Sequence, residues 1–140
     1  MSDPSLALQG AIITMLKNDP GVAALIGARV YDEVPAPVPP ATVTFPYITI
    51  GPCHVLGNDT EDCGDGSEVN QQIDVWTRLV GDPEAKRIAA AVRTALKSYP
   101  TLAGFDVSVV EFVDEQFLRD PDGKTRHAAM TFRYLITHTS

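Results

Sequence analysis

With 140 residues, 44% of them hydrophobic and 21% charged, the chain has the size and apolar fraction of one globular domain, which excludes disordered and disulfide-scaffold classes. The formal net charge is −7 and is unevenly laid down: residues 30–77 hold eight acidic side chains and no Lys or Arg, while nine of the eleven basic residues follow position 77. One half of such a surface repels a phosphate backbone, which argues against gripping nucleic acid through counterion release.

Asp-Pro pairs punctuate the chain, and Asp at an N-cap with Pro at the first helical position starts a helix. Asp3-Pro4 opens a helix with Leu8, Ile12, Met15 and Leu16 at helical spacing,. Asp19-Pro20 opens a short one through Val22, Leu25 and Ile26, which Gly27 ends,. Between Tyr31 and the strand Tyr47-Ile-Thr-Ile-Gly51, segment 33–46 contains five prolines, which predict a stiff, extended arm or loop,. Segment 57–67 is a second loop, acidic and glycine-rich, and a strand from Val69 places Ile73 and Val75 on one face,. Asp82-Pro83 is expected to open the longest helix, with Ile88, Val92 and Leu96 facing the core and Ala85, Ala89, Ala90 and Ala91 permitting close packing,. Asp120-Pro121-Asp122-Gly123 reads instead as a type I turn joining antiparallel strands over 107–119 and 125–137, with Met130, Phe132, Tyr134 and Ile136 on one face,. The expected fold is α+β: a single domain over 1–140, with a mostly antiparallel sheet of four to five strands and two main helices packed on it,.

The sequence presents no convergent catalytic constellation. Cys53 and His54 are neighbours on a strand, so their side chains point to opposite faces and cannot share a proton. Cys53, His54 and Cys63 offer too few zinc ligands, with His127 and His138 far along the chain,. Two cysteines with nine residues between them are read as free structural thiols in a reducing compartment,. A calcium loop at Asp59-x-Glu61-x-Cys63-Gly64 would place sulfur at a ligand position and Asn70 where the bidentate Glu belongs,. Gly64-Asp65-Gly66 lacks the third glycine of a dinucleotide loop,. No cofactor, metal or enzymatic activity is expected. Lys86, Arg93 and Lys97 align on one helix face, ordinarily the solvated side, with a docking role as the alternative,. No apolar run approaches the ~20 residues that span a bilayer, and Met1-Ser2-Asp3-Pro4 does not resemble a secretory signal, so the chain is expected to remain in the cytoplasm where it is made,.

Several stretches resemble the tail-completion, or tail-terminator, family of long-tailed phages and gene transfer agents. Arg29-Val-Tyr-Asp-Glu-Val-Pro35 followed by Phe45-Pro-Tyr-Ile-Thr-Ile-Gly51 resembles the start of its first strands, and Ile73-Asp-Val-Trp-Thr77 its central strand. Glu84-Ala-Lys-Arg-Ile-Ala89 resembles its long helix, and Leu118-Arg-Asp-Pro-Asp-Gly-Lys-Thr-Arg-His127 its closing hairpin. The likeness runs over about residues 6–137. It departs at 35–46, which is longer than the family's usual connection, and nothing is carried over onto that stretch or the acidic loop.

The resemblance implies a structural virion protein at the head-tail junction, assembled as a ring, commonly a hexamer, on the last ring of the major tail tube protein. Its other face would meet a head-completion or stopper protein. DNA would pass through the channel without being specifically bound, and no membrane is involved. Acid excess in 30–77 is compatible with a channel along which DNA slides,. Because binding residues concentrate on loops held by a rigid scaffold, Val38, Val43, Phe45, Asp59, Glu61, Asp62 and Asp65 are candidate interface residues, together with Lys86, Arg93 and Lys97,. Trp76 and Phe132 are expected as core or subunit-contact anchors,. The competing readings are a head-side completion protein, a non-virion assembly adaptor, and a small enzyme or ligand-binding domain.

Overall fold

A computed structural model describes residues 3–33, 44–57, 66–78 and 81–139. Helix α1 (Pro4–Asn18) starts where the Asp3 carboxylate accepts from the Ser5 amide at 2.9 Å, and α2 (Pro20–Ile26) where Asp19 accepts from the Val22 amide at 3.0 Å. In both, the proline removes an N–H that would have had no partner. Gly27 ends α2 with a φ of 62°, donating its N–H to the Ala23 carbonyl at 2.8 Å. Helix α3 (Pro83–Ala95) has 13 residues against 15 in α1, so it is not the longest. Nor does Asp82 cap it through its side chain. Capping needs an extended backbone, whereas Asp82 is already helical, and its carboxylate lies 3.7 Å from Arg126 Nε,.

Five strands follow the expected order: β1 (Val30–Tyr31), β2 (Tyr47–Gly57), β3 (Gly66–Thr77), β4 (Phe105–Arg119) and β5 (Arg126–His138). They form one sheet, β1-β2-β3-β5-β4, antiparallel except for the short β1–β2 pair. The fold is α+β, as the sequence indicates. Strand β2 runs six residues past the predicted end at Gly51, through a bulge between Ile50 and Cys53, and β3 begins at Gly66. The expected loop 57–67 is therefore strand at its described ends. The buried Gln71 side chain supports the bulge, donating from Nε2 to the carbonyls of Gly51 at 3.0 Å and Gln72 at 2.8 Å.

The turn between β4 and β5 is the one the sequence predicts. Gly123, at φ 74°, donates to the Asp120 carbonyl at 3.0 Å. The Asp122 carboxylate accepts from the Thr125 amide at 2.8 Å, the Thr125 hydroxyl at 2.7 Å and the Lys124 amide at 2.8 Å. Those donors favour the charged form and hold its pKa at about 2,.

The core lies between the helices and one face of the sheet. Register sets Val69, Ile73 and Val75 of β3 beside Tyr134, Met130 and Ala128 of β5, with Ile50 and Ile48 of β2 on the other side. Leu8, Ile12 and Leu16 of α1, Val22 and Ile26 of α2, and Ile88 and Val92 of α3 close over them. Each such side chain taken from water contributes roughly 1.5–3 kcal/mol before chain entropy is offset. Burial pushes the Tyr134 phenol pKa up. Two expected core positions fall outside: Leu25, 39% exposed, lies off the Val22–Ile26 row of a two-turn helix, and Ala90 faces solvent,.

Candidate functional site

Because strand residues alternate, the same strands that build the core build a second face that no described helix covers. Across one end of it runs an aromatic row. Phe45 stands 5.0 Å from Tyr47, Tyr47 6.4 Å from Trp76, and Trp76 lies flat on His127 with 4.0 Å between ring centroids and 9° between planes. The Trp76 indole N–H donates to the Thr49 hydroxyl at 3.0 Å. Beside this row, Asp74 Oδ1 lies 2.6 Å from His127 Nε2 and accepts from Gln72 Nε2 at 2.8 Å. Asp74 is only 6% exposed. Its carboxylate presses on the backbone of Gly51, where any Cβ would collide with it.

The two expected anchors divide between the two faces, and the cluster around Trp76 is one that sequence reasoning missed. Phe132 is a core residue, but Trp76 is half-exposed on the opposite face, because Val75 and Thr77 take the core positions on either side of it. Alternation from Ile73 and Val75 already turns Asp74 and Trp76 outward. Their pairing with His127, some fifty positions away, depends on the β3–β5 register, which no local pattern reveals. Cys53 and His54 are both exposed and pair with different residues of β3. Partial desolvation, helped by the Asp3 charge, pushes the Cys53 thiol up, which leaves less of the reactive thiolate,.

Further along the open face, Arg133 of β5 bridges Glu68 of β3 at 3.2 Å and Glu111 of β4 at 3.1 Å. The Asn70 amide, and then Arg133, hold the Glu68 carboxyl below its usual range. Asp106 and Asp114 share this face through their pairing with Thr137 and Thr131,. The described open face therefore carries more acid than base.

The helix side is different at its β4 flank. Lys86 and Arg93 of α3 and Lys97 just past its end lie on one side, all three exposed, and with Ala90, Thr94, Glu115 and Phe117 they line a groove of about 580 Å³. Its cations rest on aromatic rings: the Arg93 guanidinium is 3.9 Å from the Phe112 centroid and the Lys86 ammonium 5.4 Å from that of Phe117. A second groove of about 640 Å³, mostly apolar, lies between α1 and residues 98–103.

Of the remaining sequence candidates, Phe45 is half-buried, packed on Tyr47 and capped by the Arg78 guanidinium at 4.4 Å. It is part of the aromatic row rather than a free anchor. Val38, Val43, Asp59, Glu61, Asp62 and Asp65 lie outside the described residues. Among the described residues no helix is long and apolar enough to cross a membrane.

The family model for tail completion protein gp17 matches residues 10–137, from the middle of α1 through nearly all of β5. The chain belongs to the tail completion protein gp17 family. The tail-completion fold it adopts is also that of a chain in a solved structure described as "Virion of native gene transfer agent (GTA) particle". The two are 28% identical, the match covers 98% of this chain and 99% of that one, and the TM-score is 0.87. Comparison with curated proteins yields no match. Tail-completion proteins are structural components rather than enzymes, and the arrangement described above is one of surfaces.

Proposed function

We propose that this tail-completion protein forms a ring that terminates the tail tube, joins it to the head-completion proteins and leaves a channel for DNA. The observation that carries this reading is the match, end to end in both chains, to a component of a gene transfer agent virion. Two features of the surface support it. The uncovered, acid-rich sheet face is suited to lining a passage along which a polyanion moves without sticking. The groove between α3 and β4 concentrates three cations on a chain of net charge −7, and a closed cyclic assembly joins two different, complementary patches of each protomer,.

On this reading the acidic segment around Asp59, Glu61, Asp62 and Asp65 and the proline-rich segment with Val38 and Val43 make subunit or partner contacts, while sheet and helices hold them in place. The protein is made in the host cytoplasm and ends in the particle. The test is a null allele examined by electron microscopy of lysates. Tubes of uncontrolled length and heads without tails, both restored by supplying the chain, are expected. Free tails of normal length beside heads without tails would instead assign the protein to the head side of the joint.

A further inference from the structure

The groove between α3 and β4 is the feature that the ring reading leaves unused. Lys86, Arg93 and Lys97 form no ion pair among the described residues, and the single carboxylate in the groove is Glu115. Three cations against one anion, on a chain of net charge −7, is a local inversion of the molecule's sign. Phe112 and Phe117 sit beneath the cations, so Arg93 and Lys86 are held toward the groove by ring contacts rather than by a neutralising partner,. A site built this way has little ordering entropy still to lose on binding and lacks only its counter-charge.

We infer that this groove receives the acidic segment 58–65 of a neighbouring copy of the chain, an inference that rests on the ring reading and names its subunit contact. The segment reads Asn-Asp-Thr-Glu-Asp-Cys-Gly-Asp, with four carboxylates and no base. It joins β2 to β3, whereas the groove lies on the β4 edge of the sheet, with β5 between. The acidic segment and the basic groove are thus separate stretches of the chain with opposite charge. A head-to-tail ring joins two different patches of each protomer at every joint, each protomer using its groove once and its acidic segment once. The contact is electrostatic, so it sets register and partner choice and weakens as salt rises. A DNA backbone would satisfy the same three cations, but it would have to approach a strongly acidic molecule, and the copy next door brings the matching charge without that penalty.

The experiment uses the full chain in sedimentation velocity, alone and with preformed tail tubes. A groove variant carries Arg93→Glu and Lys97→Glu, and a loop variant carries Asp59→Lys, Glu61→Lys and Asp62→Lys; thermal melts confirm that both stay folded. Each variant alone is expected to need at least tenfold more protein to assemble, on the scale of close charge pairs at interfaces. Their equimolar mixture is expected to recover, because in an alternating ring every reversed loop meets a reversed groove. Assembly of either variant at the wild-type concentration would overturn the inference and leave the ring reading standing. So would failure of the mixture to recover, which is the result expected if the segment folds onto its own chain. Loss of wild-type duplex DNA binding by the groove variant, with assembly untouched, would assign the groove to phosphate and overturn it too. A wild-type chain that stays monomeric in both settings removes the ring reading and the inference with it.

Discussion

The two faces of the sheet are cut from alternate residues of the same strands, yet they are held by different physics,. On the helix side, Met130, Phe132, Tyr134 and Ile136 disappear into one apolar cluster, and shape and burial decide everything,. On the open side, the intervening residues build a surface of paired charges and stacked rings, in which His127 pairs with the buried Asp74 and stacks on the half-exposed Trp76. The first face specifies the fold, and the second is free to be specified by what it meets. A tail-completion protein needs both, since a part of a particle has to be rigid before its surfaces can be matched to a partner.

The comparison is most open to attack at Phe132. Truncating a buried aromatic costs about 3–5 kcal/mol, so Phe132→Ala should lower the melting temperature by on the order of ten degrees. Gly51→Ala tests the one point where the open face is packed as tightly as the core. It forces the Asp74 carboxylate off Gln72 and His127 and should cost roughly 1–3 kcal/mol by urea denaturation, in the range of overpacking,. Trp76→Ala should cost less than Phe132→Ala, about 0.5–1.5 kcal/mol for the lost stacking with a modest burial contribution. Equal losses at the two positions would show that both faces carry the fold.

The hairpin turn gives a pH-dependent test. The folded pKa of Asp122, about 2, lies below its ordinary 3.8. Its stabilising contribution is therefore present above pH 3.8 and is lost as pH falls from there through about 2,. Melts across that window should fall in the parent and fall less in Asp122→Asn. The smallest effect belongs to the groove variant Arg93→Glu with Lys97→Glu. Its stability should stay within about 0.5 kcal/mol of the parent, since exposed side chains away from packing rarely do more.

Most of the fold was legible because its signals are local. Three Asp-Pro pairs mark helix starts, a fourth marks the hairpin, and the alternation through Met130–Ile136 marks a half-buried strand. The errors are of the opposite kind. Asp82 lacks its cap because Arg126, on another element, draws the carboxylate. Strand β2 outruns Gly51 because Gln71, from the neighbouring strand, supports a bulge. Of the candidate interface, the line-up of Lys86, Arg93 and Lys97 was readable from helical spacing, but the aromatic floor beneath it was not, since Phe112 and Phe117 arrive from β4. The Asp74–His127–Trp76 cluster was invisible for the same reason: it exists only once β3 and β5 are in register.

The central claim is that this chain is retained at the junction of tail and head in the finished particle, and electron cryo-microscopy of purified particles tests it most directly. The account predicts one closed ring of density, fitted by this fold, at the head-proximal end of the tail tube, with the open acidic face of the sheet toward the lumen. Particles of normal form that contain none of this chain would contradict it and make the protein an assembly factor that leaves.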